Sequence, residues 1–143
     1  MIGVAGLSHL GIVTSAAAAA KGVDVVAYDP DAALVAALER GEPPIVEPRL
    51  PELLAAHHER IAFTAQPVRL AQCEVVLAAS DVPTDADNRS DLARIHRLIE
   101  TVLAHAAPAA ALVVMSQVPP GFTRQLDRTV SRQDPEGPPR VCY

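Results

Sequence analysis

Aromatic residues make up 3% of the 143-residue chain, two Tyr and two Phe, and tryptophan is absent. A module that stacks bases on aromatic rings is excluded by that scarcity. Lysine occurs once, at Lys21, and the chain carries a net charge of −5 with a pI near 5.4. There is no basic stripe for nucleic acid and no polybasic patch for a membrane surface. Two cysteines, Cys73 and Cys142, stand too far apart for a CxxC pair or a metal-ligand spacing. Free thiols in a reducing cytoplasm are the expectation. No run approaches the roughly 18 uninterrupted apolar residues of a membrane span. The apolar start from Ile2 lacks a basic n-region and reads as a buried strand, not a signal peptide.

What the chain has in quantity is small and branched aliphatic side chains: 50% of it is hydrophobic, enough for one sizeable core built from Ala, Val, Leu and Ile. Ile2–Gly6 is a short apolar run ending in Gly, and Leu10–Lys21 reads as a helix carried by Ala16–Ala20. Val23–Asp29 is a second strand, followed from Pro30-Asp31 by a helix that stops at Gly41. A Pro-rich connection leads to a helix from Leu50 to about His58, a strand at Ile61–Thr64, a helical turn at Pro67–Gln72 and a strand at Glu74–Ala79. A polar loop over Ser80–Ser90, a helix to about His105, a strand at Ala110–Met115, a loop at Gln117–Gly121 and a helix over Phe122–Ser131 complete the pattern. Strands alternating with helices predict an α/β fold, a doubly wound parallel sheet of Rossmann type, over residues 1–131. Residues 132–143 read as a tail or linker, and the chain ends at Val141-Cys142-Tyr143, about where the sixth strand usual in this fold should begin, so the sheet is expected to be truncated before it.

In such sheets ligands bind where the strands end, beside the first strand. Here that point is Gly6-Leu7-Ser8-His9-Leu10-Gly11. Gly6 permits the tight turn and Gly11 a close helix-sheet approach, since both positions need a missing Cβ. Ser8 stands where the dinucleotide fingerprint has its middle Gly. Its hydroxyl can donate to a phosphate, or its Cβ can push the phosphate away. The N–H groups at the helix start, from His9 and Leu10 onward, suit an anion. His9 either contacts phosphate when protonated or packs. A two-glycine turn can also be purely structural. Asp29 ends the second strand 18 positions after Gly11, the place of an acid that bonds the adenosine ribose and disfavours the extra phosphate of NADP. The alternative for Asp29 is a helix N-terminal acid, a duty Asp31 can fill instead.

The order of features resembles the N-terminal domain of the UDP-glucose/GDP-mannose dehydrogenase family. Ile2–Thr14 is similar to the family's opening strand, turn and helix, with Ser8 for the usual Gly and His9 for the usual aromatic. Gly41-Glu42-Pro43-Pro44-Ile45-Val46-Glu47-Pro48-Arg49-Leu50 resembles a distinctive family segment in which Gly is common at the position of Arg49. Val82-Pro83-Thr84 and Ser116–Thr123 resemble the loops after the fourth and fifth strands. The resemblance implies NAD as cofactor, with Val82, Pro83 and Thr84 lining its cleft and Ser116 and Gln117 near the nicotinamide. It implies oxidation of a nucleotide-sugar alcohol to a carboxylate, through a Cys, a Lys and an Asn in family regions beyond Tyr143. Neither Cys73 nor Cys142 fits that nucleophile, and Lys21 lies at the far end of its helix. The chain alone is therefore expected to be inactive and to meet the nucleotide sugar only with further domains. A remnant or interaction module that no longer binds NAD is the alternative, and an unpaired sheet edge leaves room for a homodimer.

Other constellations are weaker. His57-His58 and the helix residues His96 and His105 lack metal partners at a suitable spacing. Asp85–Asp91 superficially resembles a calcium loop but lacks its central Gly and closing Glu; it reads as a solvated loop in which Ser90 or Asp91 caps the next helix.

Overall fold

The computed structural model describes residues 1–83, 91–133 and 140–142. Among the described residues, six strands form one parallel sheet in the order β3-β2-β1-β4-β5-β6. They are β1 (Ile2–Ala5), β2 (Val25–Tyr28), β3 (Ile61–Thr64), β4 (Val75–Ala78), β5 (Ala111–Val114) and β6 (Arg140–Cys142). Five helices connect them: α1 (His9–Ala20), α2 (Ala32–Glu39), α3 (Leu50–Ala56), α4 (Ala93–His105) and α5 (Phe122–Gln133). Short 3-10 helices at His58–Arg60 and Pro67–Gln72 flank β3.

Helices on both faces bury the central strands twice over, which is why β1 and β2 read as unbroken apolar runs rather than alternating ones. Successive strand residues divide between two cores. Val4, Val25 and Ala27 face Ile12, Ala16 and Ala19 of α1, Val35 and Leu38 of α2, and Leu50 and Leu54 of α3. Ala5, Val26, Tyr28, Val76, Ala78, Leu112 and Val114 face Ile95, Leu98, Ile99 and Val102 of α4 and Phe122 of α5. The Ala run of α1 has a packing role, since Ala16 and Ala19 are buried at 1% exposure and small side chains let a helix lie close to a sheet. On α4 the buried residues recur at the period of an amphipathic helix.

One expectation is corrected. The sheet does not stop before a sixth strand: Arg140, Val141 and Cys142 pair with Ala111, Leu112 and Val113 of β5. The edge of β5, expected to be open to a partner, is occupied by β6. This strand has three residues, follows a Pro- and Gly-rich stretch, and is defined by pairing with a strand some thirty positions earlier, so no local period marks it. The tail reading of residues 134–139 and most of the loop reading of 85–91 lie outside the described residues.

The chain crosses from β3, at one edge, back past β1 to β4. The sheet's direction of growth reverses there, and the carboxyl ends of β1, β2 and β4 open a crevice at that point.

Candidate cofactor-binding site

The turn after β1 is held by two backbone donors. The Gly6 N–H donates to the Tyr28 carbonyl at 2.8 Å, and the Leu7 N–H donates to Asp29 Oδ2 at 2.8 Å. Gly6 has φ +88°, and a Cβ there would come within 2.9 Å of Leu98 Cδ2. A Cβ at Gly11 would overlap the Gly6 carbonyl oxygen. Both glycines therefore do what the motif requires. The turn is folded back tightly enough that the first turn of α1 presents its free N–H groups at the carboxyl end of β1.

Ser8 precedes α1 in an extended conformation, and its side chain caps no helical N–H. Its hydroxyl donates to the Ala79 carbonyl at 2.5 Å, tying the turn to the end of β4. The proton that was open for a phosphate is committed inside the protein. His9 and Leu10 begin α1 on the outer side, with Leu10 39% exposed. His9 Nε2 lies 2.6 Å from Glu47 Oε1, so the helix start is joined to the Pro-Ile-Val-Glu-Pro segment. Arg49, in the same segment, has a left-handed backbone at φ 67°, where a glycine would be at ease.

Asp29 is 1% exposed at the tip of β2. Oδ2 accepts from Leu7, and Oδ1 accepts from the Asp31 N–H at 2.9 Å. The helix-start duty falls to Asp31, whose Oδ1 accepts from the N–H groups of Ala33 and Leu34 at 2.9 and 3.2 Å. Asp31 thus takes the helix-start duty, and Asp29 has a structural task that spacing alone does not disclose. Burial, and secondarily the Asp29 charge, raise the pKa of the neighbouring Tyr28 phenol.

A cleft of about 450 Å³ opens here. Gly6 and Ser80 lie at its base, Tyr28, Asp29, Pro30 and Asp31 form one wall, and Arg94, Arg97, Leu98 and Thr101 of α4 form the other. The α4 wall was missed by reading strand ends alone. Its signal was available in the helical period: 94, 97 and 101 follow one face while Ile95, Leu98, Ile99 and Val102 are buried.

The later loops divide. Val82 is half-buried against the core. Pro83 is exposed, and its carbonyl accepts from the Asp91 N–H at 2.8 Å. Thr84 lies outside the described residues. Asp91 Oδ1 accepts from the Ala93 N–H at 2.9 Å, but Leu92 is the residue at the N-cap of α4, so Asp91 stands one position before the capping place read for it. Ser116, 2% exposed, donates to the Ser80 carbonyl at 2.6 Å and so joins the ends of β4 and β5, while Gln117 is exposed. Cys73 precedes β4 at the sheet's opposite, amino-terminal end. Within the chain as described, Gly6 and Asp29 line the cleft, Ser8 and Ser116 fasten its strand ends, and His9 and Leu10 stand outside it.

Comparison with known proteins agrees with this geometry. The sequence profile of the UDP-glucose/GDP-mannose dehydrogenase family, NAD binding domain, matches residues 1–139. A UDP-glucose 6-dehydrogenase of Pseudomonas aeruginosa is 34% identical over 130 residues, covering 89% of this chain and 29% of that protein. Among solved structures, a UDP-glucose dehydrogenase from Pyrobaculum islandicum superposes with a TM-score of 0.84 at 28% identity, covering 98% of this chain and 34% of that one. The UDP-D-ManNAc dehydrogenase of Pyrococcus horikoshii gives 0.84 at 26% identity, covering 92% and 32%. The chain thus spans between 14% and 31% of the length of curated relatives of this kind. With a switch-point crevice, a two-glycine turn at a helix start and an acid at the tip of the second strand, the chain belongs to the UDP-glucose/GDP-mannose dehydrogenase family and corresponds to its NAD-binding domain.

Proposed function

We propose that this domain binds NAD across the switch-point crevice. The pyrophosphate would lie on the first turn of α1 and the adenosine ribose against Asp29. Val82, Pro83 and Thr84 would border the cleft, with Ser116 and Gln117 toward the nicotinamide. The observation that carries the reading is Asp29, a buried carboxylate in the cleft wall that also fastens the phosphate turn through the Leu7 N–H. The cradle fits a dinucleotide: no Cβ intrudes at Gly6 or Gly11, and a Cβ at either would collide with its surroundings. When bound, NAD supplies a hydride acceptor; this chain's residues orient it and hold its charged groups. In a whole protein the domain would serve oxidation of a nucleotide-sugar alcohol.

Calorimetric titration with NAD, NADP and ADP-ribose tests the reading. Binding of NAD and ADP-ribose is expected, and its absence at millimolar ligand from folded protein would sink the proposal. Asp29→Ala should weaken NAD about tenfold or more, as loss of a hydrogen bond to a charged group implies. Unchanged affinity in folded variant protein would remove Asp29 from the site.

A second reading rests on Ser8. Its hydroxyl bonds Ala79 and its Cβ stands where a pyrophosphate needs close backbone approach. If NAD binding emerges only in Ser8→Gly, the natural chain is a remnant that keeps the fold without the cofactor.

A further inference from the structure

The cleft is chemically two-sided. One wall is acidic, with Asp29 and Asp31; the other carries Arg94 and Arg97, three residues apart on one face of α4, with Leu98 and Thr101. No described tryptophan, phenylalanine or histidine lines this cleft, and its one aromatic, Tyr28, is 4% exposed and packed into the core beneath it. A base entering the cleft therefore meets no free aromatic face among the described residues. It does meet two guanidinium groups, which are flat, charged and weakly hydrated, and which stack on π systems where an ammonium cannot. Both arginines are exposed, so their side chains are not held in the core. Among the described residues, the ion pairs join His9 to Glu47, Arg40 to Glu42 and Arg60 to Asp24, and neither Arg94 nor Arg97 takes part.

We infer that Arg94 and Arg97 form the base-facing wall of the adenosine pocket, with a guanidinium plane stacking on the adenine ring. The inference rests on the NAD reading above and extends it to residues that neither the turn nor the later loops mark. The polarity of the cleft suits that orientation. Ribose hydroxyls are donors and match the carboxylate wall, whereas the π face of adenine and its ring-nitrogen acceptors match the cationic wall. The same positive wall also offsets part of the repulsion that Asp29 and Asp31 exert on an incoming pyrophosphate.

The test uses the full chain, with ADP-ribose, NAD and NADP titrated into wild type, Arg94→Ala/Arg97→Ala and Arg94→Lys/Arg97→Lys. Both positions are exposed, so the variants should melt like wild type. The alanine pair is expected to weaken ADP-ribose and NAD about tenfold, as loss of cation–π contacts implies. The lysine pair should stay at least about threefold weaker than wild type, because it restores charge without the plane. Full recovery by lysine would reduce the wall to a generic charge and overturn the stacking assignment. A larger loss for NADP than for NAD would assign the arginines to a ribose phosphate and overturn it as well. Wild-type affinity in the alanine pair would overturn the inference while leaving the NAD reading intact. Failure of wild type itself to bind ADP-ribose would overturn both.

Discussion

Arg49 is the described non-glycine residue with a positive φ, 67°, just before α3, and its side chain makes no capping bond there. An L-residue in the left-handed region costs roughly 1–2 kcal/mol, and glycine gives back about 0.5–1 kcal/mol through its looser unfolded chain. Arg49→Gly should therefore stabilise the domain by about 0.5–1 kcal/mol, read as a higher urea midpoint at unchanged slope. A lower midpoint would mean the exposed arginine contributes a contact that outweighs its backbone strain. Gly11→Ala should act in the opposite sense. Its Cβ would overlap the Gly6 carbonyl, forcing α1 off the strand at a cost of about 1–3 kcal/mol, and NAD titration of the folded fraction should show the turn broken. These glycine roles were legible because a missing Cβ is visible in a sequence. The structural duty of Asp29 was not: its donor on Leu7 lies 22 positions away, and only the parallel pairing of β1 and β2 brings them together.

At the scale of elements, local chemistry marked most boundaries. Asp31 illustrates why: a short acceptor before an Ala-Leu run satisfies the otherwise unpaired N–H groups of Ala33 and Leu34. Asp31→Ala should cost about 1 kcal/mol, measured by chemical denaturation, and amide exchange should quicken in the first turn of α2 before it does in α1. Uniform quickening across both helices would contradict a local capping role. The helices on α4 and α5 extend or begin a residue or two away from the sequence reading, the usual slack where ends fray. The strand β6 was missed for a different reason. Its existence is a property of β5's open hydrogen-bonding edge, not of any period in Arg140–Cys142. The arginine wall of the cleft was missed in a third way, because attention to strand ends passes over a helix face that a 3.6-residue period would have exposed.

At the scale of the whole molecule, two cores share one sheet, and the site lies where the chain switches from filling one to filling the other. Cys73 belongs to the second core, 2% exposed beside Leu70 and Val76. Burial raises its thiol pKa, against smaller lowering effects from the N-terminal amino group and Arg69. The native thiol therefore holds its proton to a higher pH than the unfolded one. Stability from this group is fully present below about pH 9, where both states are protonated. Above that the unfolded chain ionises first, and stability falls until the native thiol ionises too. Tyr28 is shifted in the same direction by burial and by Asp29, so it adds to the loss from about pH 10 upward. Denaturation of wild type and Cys73→Ala at pH 7, 9 and 10.5 should show the variant less stable at pH 7 but with a shallower alkaline decline. Parallel curves would place the alkaline loss elsewhere. The same burial makes a second readout available at neutral pH: a thiol reagent should label exposed Cys142 promptly and reach Cys73 only as fast as the domain opens.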